Sequence, residues 1–202
     1  HSDRDGVRGN FLRTNRYEFT LSASASITPD TDKNKLREGM PELGSTLELG
    51  PSFNINLSGE DFSHGWHLQL PLRAVFAIGA DDPGYLGSII QPQLVYRTKL
   101  TDWSFSYRAG ITFASNDYHD YYYRVAPQYE TPERATFNAT AGYSGWNNNA
   151  ALSRRFTYQG FTTSLAFFIR YDNIEHAHFT DSPLVVDNHS VRGGIAFIWI
   201  IK

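Results

Sequence analysis

Apolar and polar residues alternate one by one over most of this chain, and a period of two leaves it little to form except β-strand. The clearest stretch is Tyr17–Thr28, YEFTLSASASIT, where every odd position is apolar or aromatic and every even one polar or charged. Successive strand side chains point to opposite faces, so such a segment has one apolar and one polar face. The pattern predicts strands at about 6–13, 17–28, 44–57, 66–79, 88–98, 103–114, 146–156, 161–172 and 189–201. Most reach the roughly 9–11 residues that cross a bilayer at a tilt.

The connections alternate too. Those near 14–16, 58–65, 99–102 and 157–160 are short, while 29–43, 80–87, 115–145 and 173–188 are mostly longer. Antiparallel alternation collects the short ones at one end. That combination predicts an all-β fold, an antiparallel transmembrane β-barrel of the outer-membrane type with its long loops facing outward. The lipid-facing rows would include Leu47, Leu49, Pro51, Phe53, Ile55 and Leu57 in one strand and Leu68, Leu70, Leu72, Ala74, Phe76 and Ile78 in the next. Trp66, Trp103, Tyr158, Phe161 and Trp199 fall near the short-turn end, as an interfacial girdle would. The segment 146–156 has the poorest lipid face: Trp146, Asn148, Ala150 and Leu152. The rival fold, a soluble sandwich or lipocalin-like barrel, would turn the apolar rows inward.

Composition is consistent with this and excludes other classes. No run approaches the roughly 20 apolar residues of a helical span. The mean hydropathy of −0.42 does not count against a barrel, whose strands have only one lipid-facing side. A net charge of −3 gives no basic footprint for nucleic acid. Cysteine is absent, and there is no glycine-rich phosphate loop, so no nucleotide, metal or other cofactor is expected. The 202 residues fit a single barrel domain, 1–202. The chain opens on His1-Ser2-Asp3-Arg4-Asp5 without an apolar leader. Nine strands would break the even count usual in such barrels, so a signal peptide and one or three further strands are expected ahead of this chain, ten or twelve in all.

On the polar rows stand Glu18, Glu48, His67, Arg73, Arg97, Arg108, Arg170, Asp172 and Arg192. In a barrel they point into the lumen, either as a packed ion-pair network or as the lining of an arginine-rich, anion-preferring pore. The segment 115–145 is about thirty residues long and carries seven aromatics. Tyr118, Tyr121, Tyr122, Tyr123 and Tyr129 make it a candidate contact surface, or a plug folded into the barrel mouth. In the loop 29–43, Asp30, Asp32 and Asn34 lack the glycine and glutamate spacing of a calcium loop. His119 and Asp120 are adjacent and would point apart on an extended chain. His176, His178 and His189 lie beside Asp181 and Ser182, but nothing in the spacing assembles a triad. The protein is therefore expected not to be an enzyme.

Several words along the chain are similar to the MltA-interacting protein (MipA/OmpV) family of outer-membrane proteins. They are Asp32-Lys33-Asn34-Lys35 with Arg37-Glu38-Gly39-Met40-Pro41, Leu47-Glu48-Leu49-Gly50-Pro51-Ser52, and Pro71-Leu72-Arg73. Further along come Tyr118-His119-Asp120-Tyr121-Tyr122-Tyr123, Val125-Ala126-Pro127, Thr131-Pro132-Glu133-Arg134, Ala141-Gly142-Tyr143 and Ser153-Arg154-Arg155-Phe156. Arg170-Tyr171-Asp172-Asn173 and Asp181-Ser182-Pro183-Leu184-Val185 complete the set. The resemblance implies a Gram-negative outer-membrane barrel that contacts lipid. It also implies a scaffold joining a murein lytic transglycosylase to a penicillin-binding protein in peptidoglycan remodelling. The alternative is a small porin-like channel with an arginine-rich lumen and 115–145 as its lid. A scaffold for periplasmic partners would use the short-turn end, where only Ser58–Gly65 offers much surface.

Overall fold

The computed structural model describes residues 2–3, 6–26, 35–58, 61–78, 83–158 and 161–200. Its strands are β1 (Ser2–Asp3), β2 (Gly6–Arg13), β3 (Tyr17–Ser26), β4 (Ser45–Asn56), β5 (Gly65–Ile78), β6 (Gly84–Ile90), β7 (Gln93–Leu100), β8 (Trp103–Ala114), β9 (Gly142–Tyr158), β10 (Phe161–Asn173) and β11 (His189–Ile200). One α-helix, α1, spans Asn116–Tyr123. All pairings are antiparallel and follow chain order, with β6 and β7 sharing one place between β5 and β8. β1 and β11 end this order, and a ladder closing the sheet on itself is not among the described pairings. The strand residues expected at 27–28, 79 and 201, and the loop residues Asp30, Asp32 and Asn34, lie outside the described residues.

The burial of the two faces is the reverse of a soluble sheet. Along β5, His67, Gln69, Pro71, Arg73, Val75 and Ala77 are buried, while Trp66, Leu72 and Ile78 are exposed. In β3 the contrast is sharp: Leu21 is 47% exposed and its neighbour Ser22 is 1% exposed. Phe19, Phe53, Ile111, Phe113, Phe167, Ile169, Ile195 and Phe197 extend the exposed apolar row. The rival fold with its apolar rows inside is therefore not the one this chain adopts.

Two of the expected strands differ, and β1 lies outside the expected set. The strand expected at 88–98 is two strands, β6 and β7, separated at Gln91-Pro92. Proline has no N–H to give a ladder, so interior strands break or bulge around it. The ladder is instead carried past by Gln91 N–H donating to Pro71 O (3.2 Å) and Ile111 N–H donating to Pro92 O (3.0 Å). The β4–β5 ladder skips in the same neighbourhood, between Leu49↔Ala74 and Ser52↔Pro71. Pro51, Pro71 and Pro92 thus lie at neighbouring breaks on adjacent strands. The strand expected at 146–156 also runs longer, to Gly142–Tyr158.

Gly50 sits at this break because the backbone of β5 comes too close for a side chain. A Cβ there would collide with the carbonyl oxygen of Leu72. Gly9 has nothing within 4 Å of the equivalent position. Gly50→Ala should therefore cost about 1–3 kcal/mol as an overpacked site does, whereas Gly9→Ala should leave the midpoint nearly unchanged. Guanidinium unfolding in detergent checks both, and equal midpoints would contradict the packing.

Candidate functional site

The segment 115–145, expected to be a lid, plug or contact loop, is built around α1. Ser115 starts the helix: its Oγ accepts from Tyr118 N–H (3.5 Å) and from Ser88 N–H (3.0 Å), fastening the first turn to β6. Gly87, at φ +128°, lets this happen, since a Cβ there would strike Ser115 Oγ. Tyr118 and Tyr121 then pack on the buried cluster Val75, Ala77, Leu86, Ile89 and Ala114. Val75 and Ala77 belong to the buried row of β5, so α1 lies on the polar-row face of the wall. Eight residues make a marginal helix by themselves, so tertiary contacts must hold it.

Those contacts converge on its C-terminus, where carbonyls have no helical partner and carry partial negative charge. Arg37 Nη1 donates to Tyr122 O (3.0 Å), and Nη2 to Pro41 O (3.3 Å). Ser182 Oγ donates to Tyr123 O (2.7 Å). Tyr121 Oη accepts from Gly44 N–H (2.8 Å), and Asp120 Oδ1 from Ala139 N–H (3.1 Å). Arg134 binds the 35–44 loop through Leu36 O (2.9 Å) and Glu38 O (3.0 Å). The long connections 35–44, 115–141 and 174–188 thus meet as one cap. Tyr123 stacks on Phe179 at 3.7 Å and 3°. Burial pushes the Tyr118 phenol well above its ordinary value, and it pushes Tyr122 and Tyr123 up to about 12. Tyr129 ends a 3-10 turn in the same cap.

His119 and Asp120 stand on this helix and not on an extended chain. His119 is fully buried, and its Nδ1 lies 2.6 Å from Thr140 O. A carbonyl only accepts, so Nδ1 carries the proton and Nε2 accepts from Ser144 Oγ at 2.6 Å. His176, His178, His189, Asp181 and Ser182 do not assemble a Ser–His–Asp geometry: Ser182 Oγ is spent on Tyr123 O, His178 Nδ1 meets Thr140 Oγ1 (3.3 Å), and Asp181, His176 and His189 are exposed. No metal-holding group of three or more ligands occurs among the described residues.

The charges on the polar rows are drawn together in pairs. Arg73 Nη1 lies 2.9 Å from Glu48 Oε2, both largely buried. Asp172 is shared by Arg170 and Arg192, each at 2.7 Å. Glu18 accepts from Asn54 Nδ2 (3.2 Å) and faces Arg13 (3.6 Å). Arg97 donates to Phe62 O (3.1 Å), and Arg108, half-buried, is also engaged. Phe62 turns inward from the short turn and stacks on buried His67 at 5.4 Å. Sequence reasoning missed Arg37, Arg134 and Phe62. The signal was there for the two arginines, because both stand inside the words that carry the family resemblance.

With this geometry in view, the comparison with family models decides the relationship: the model described as MltA-interacting protein MipA matches residues 1–201. The chain belongs to the MipA family. Searches of curated proteins and of solved structures return no match.

The cap should be acid-sensitive through His119. Burial lowers its folded-state value below the ordinary 6.5, so the unfolded chain binds the proton more readily. Its contribution is complete above about pH 6.5 and is lost as pH falls through the lowered folded value. The guanidinium midpoint should drop on going from about pH 7.5 to about pH 5.5, and His119→Gln should flatten that drop. An unchanged slope in the variant would sink the assignment.

Proposed function

We propose that this chain is a non-enzymatic outer-membrane β-barrel that acts as a scaffold, linking a murein lytic transglycosylase to a penicillin-binding protein in peptidoglycan remodelling. The observation that carries the membrane half is the inverted wall. Exposing a continuous row of Phe, Leu and Ile while burying Ser, Thr, Asn and Gln is costly in water and favourable against lipid. One detail supports lipid outside. Asn148, polar in the outward row, accepts a 2.6 Å hydrogen bond from Tyr107 Oη, as an amide facing hydrocarbon requires. The family's description supports the transglycosylase as partner.

The short-turn end would then face the periplasm. Its largest turn exposes Asp61 and Ser63 while Phe62 is buried. Asp61 Oδ1 accepts from Ser63 N–H (2.8 Å) and Ser63 Oγ (2.6 Å), which holds its carboxyl below the ordinary carboxylate range. A carboxylate held by Ser63 in this way suits a basic patch on a periplasmic partner. The channel reading has less support, since Glu48 holds Arg73 and Asp172 holds both Arg170 and Arg192, engaging side chains that an anion path would leave free.

Affinity capture of the folded full chain in detergent should retain lytic transglycosylase saturably, and Asp61→Lys should weaken capture by roughly tenfold. A folded barrel that binds neither enzyme overturns the scaffold. For the competing channel, Arg73→Ala should cost about 3–5 kcal/mol of stability by stranding Glu48, with bilayer conductance unchanged. Loss of anion selectivity in that variant would favour the pore.

A further inference from the structure

The cap contains a cleft of about 690 Å³, bounded by the 35–44 loop, the start of β6, the C-terminal half of α1 and residues 126–129. Its walls present Tyr85, Tyr121 and Tyr129 beside Pro41 and Pro83. What distinguishes it from an ordinary loop crevice is a surplus of hydrogen-bond donors. Arg37 is 9% exposed, and its Nε–H has no acceptor. Its two other nitrogens reach only carbonyls, so a buried guanidinium stands without a carboxylate partner among the described residues. Tyr121 Oη is used as an acceptor by Gly44, which leaves its own proton without an acceptor among the described residues. Arg124, exposed on the same wall, makes no ion pair there among the described residues.

The neighbouring charges do not cancel this surplus. Arg134 lies close enough to Arg37 to repel it, and its own donors go to carbonyls. Asp120 faces the cleft, but its two oxygens already accept from Ala139 N–H and Asn116 Nδ2. Glu42 is also in the lining, so the carboxylates of Asp120 and Glu42 balance Arg37 and Arg124 in formal charge, and the surplus is one of donors. Arg37 Nε–H and the Tyr121 hydroxyl leave the empty cleft short of acceptors, and an entering oxyanion supplies them. The tyrosine and proline walls add flat apolar area that favours a ring.

We propose that this cleft binds a small molecule that carries an oxyanion, a carboxylate or a phosphate, on a flat ring body. The oxyanion meets Arg124 and the Tyr121 hydroxyl, with the Arg37 charge behind them, and the ring lies against Tyr85 and Tyr129. The site is independent of the scaffold reading, because it uses the long-loop end and none of the short turns.

The test uses the folded full chain in detergent, with empty micelles as the blank, and reads binding by ligand-observed NMR. The probes are phenyl phosphate, benzoate, benzyl alcohol, benzylammonium and inorganic phosphate. Phenyl phosphate and benzoate should compete for one saturable site, and the neutral and cationic rings should bind at least about tenfold more weakly. Arg124→Gln should weaken both anions about tenfold, while Arg124→Lys retains part of the affinity and Tyr121→Phe loses the hydroxyl's share. Inorganic phosphate should bind more weakly than phenyl phosphate. The proposal is overturned if no anion binds, if charge makes no difference among the rings, if inorganic phosphate matches phenyl phosphate, or if Arg124→Gln binds like the parent.

Discussion

The central strands β3, β4 and β5 bury their polar side chains, and the pairing of most of those groups is the constraint on which the rest depends. A buried donor or acceptor without a partner costs free energy comparable to a lost hydrogen bond, and an unpaired charge costs more. The face answers with short links along and between strands: Ser52 to Asn54 (2.8 Å) and Arg170 to Asp172 (2.8 Å) within one strand, and Asn54 to Glu18 (3.2 Å), Arg73 to Glu48 (2.9 Å) and Arg192 to Asp172 (2.7 Å) across strands. The cross-strand links fix register as well as charge. A slip by one residue would put every one of these groups on the apolar side.

The cap follows the same logic at the long-loop end. α1 is too short to stand alone, and its C-terminal carbonyls are the acceptors that two separate loop regions reach for. Arg37 and Ser182 satisfy two of them, while Asp120 and Tyr121 use their side chains to tie down Ala139 and Gly44. The helix is therefore a hub made by its neighbours, and the cleft with its donor surplus is what remains between them. The same arginine that closes the helix end supplies the unsatisfied Nε–H beside the cleft.

The strand rows in β3, β4 and β5 were legible residue by residue, because a strand's two faces are set by parity alone. The break at Gln91-Pro92 was not, although proline was visible. Whether proline breaks a ladder depends on which neighbour's carbonyl waits opposite, and that is a fact about Pro71 and Ile111 in adjacent strands. The ionic partners followed a similar division. The sequence showed that Glu18, Glu48 and Asp172 were available, but not that Asp172 would serve both Arg170 and Arg192 while Glu18 turned to Asn54.

Alternation alone determined where most of the strands lie and which residues share the polar and the apolar face of each, since both are local consequences of a period of two. The tertiary structure alone decided that the aromatic segment coils into α1, that Phe62 folds in over His67, and that Arg37 and Arg134 reach across from distant loops. These depend on contacts between residues as far apart as Leu36 and Arg134, 98 positions along the chain. No local pattern encodes such distances, because the free energy that orders the loops comes from satisfying carbonyls and charges that only the assembled wall brings together.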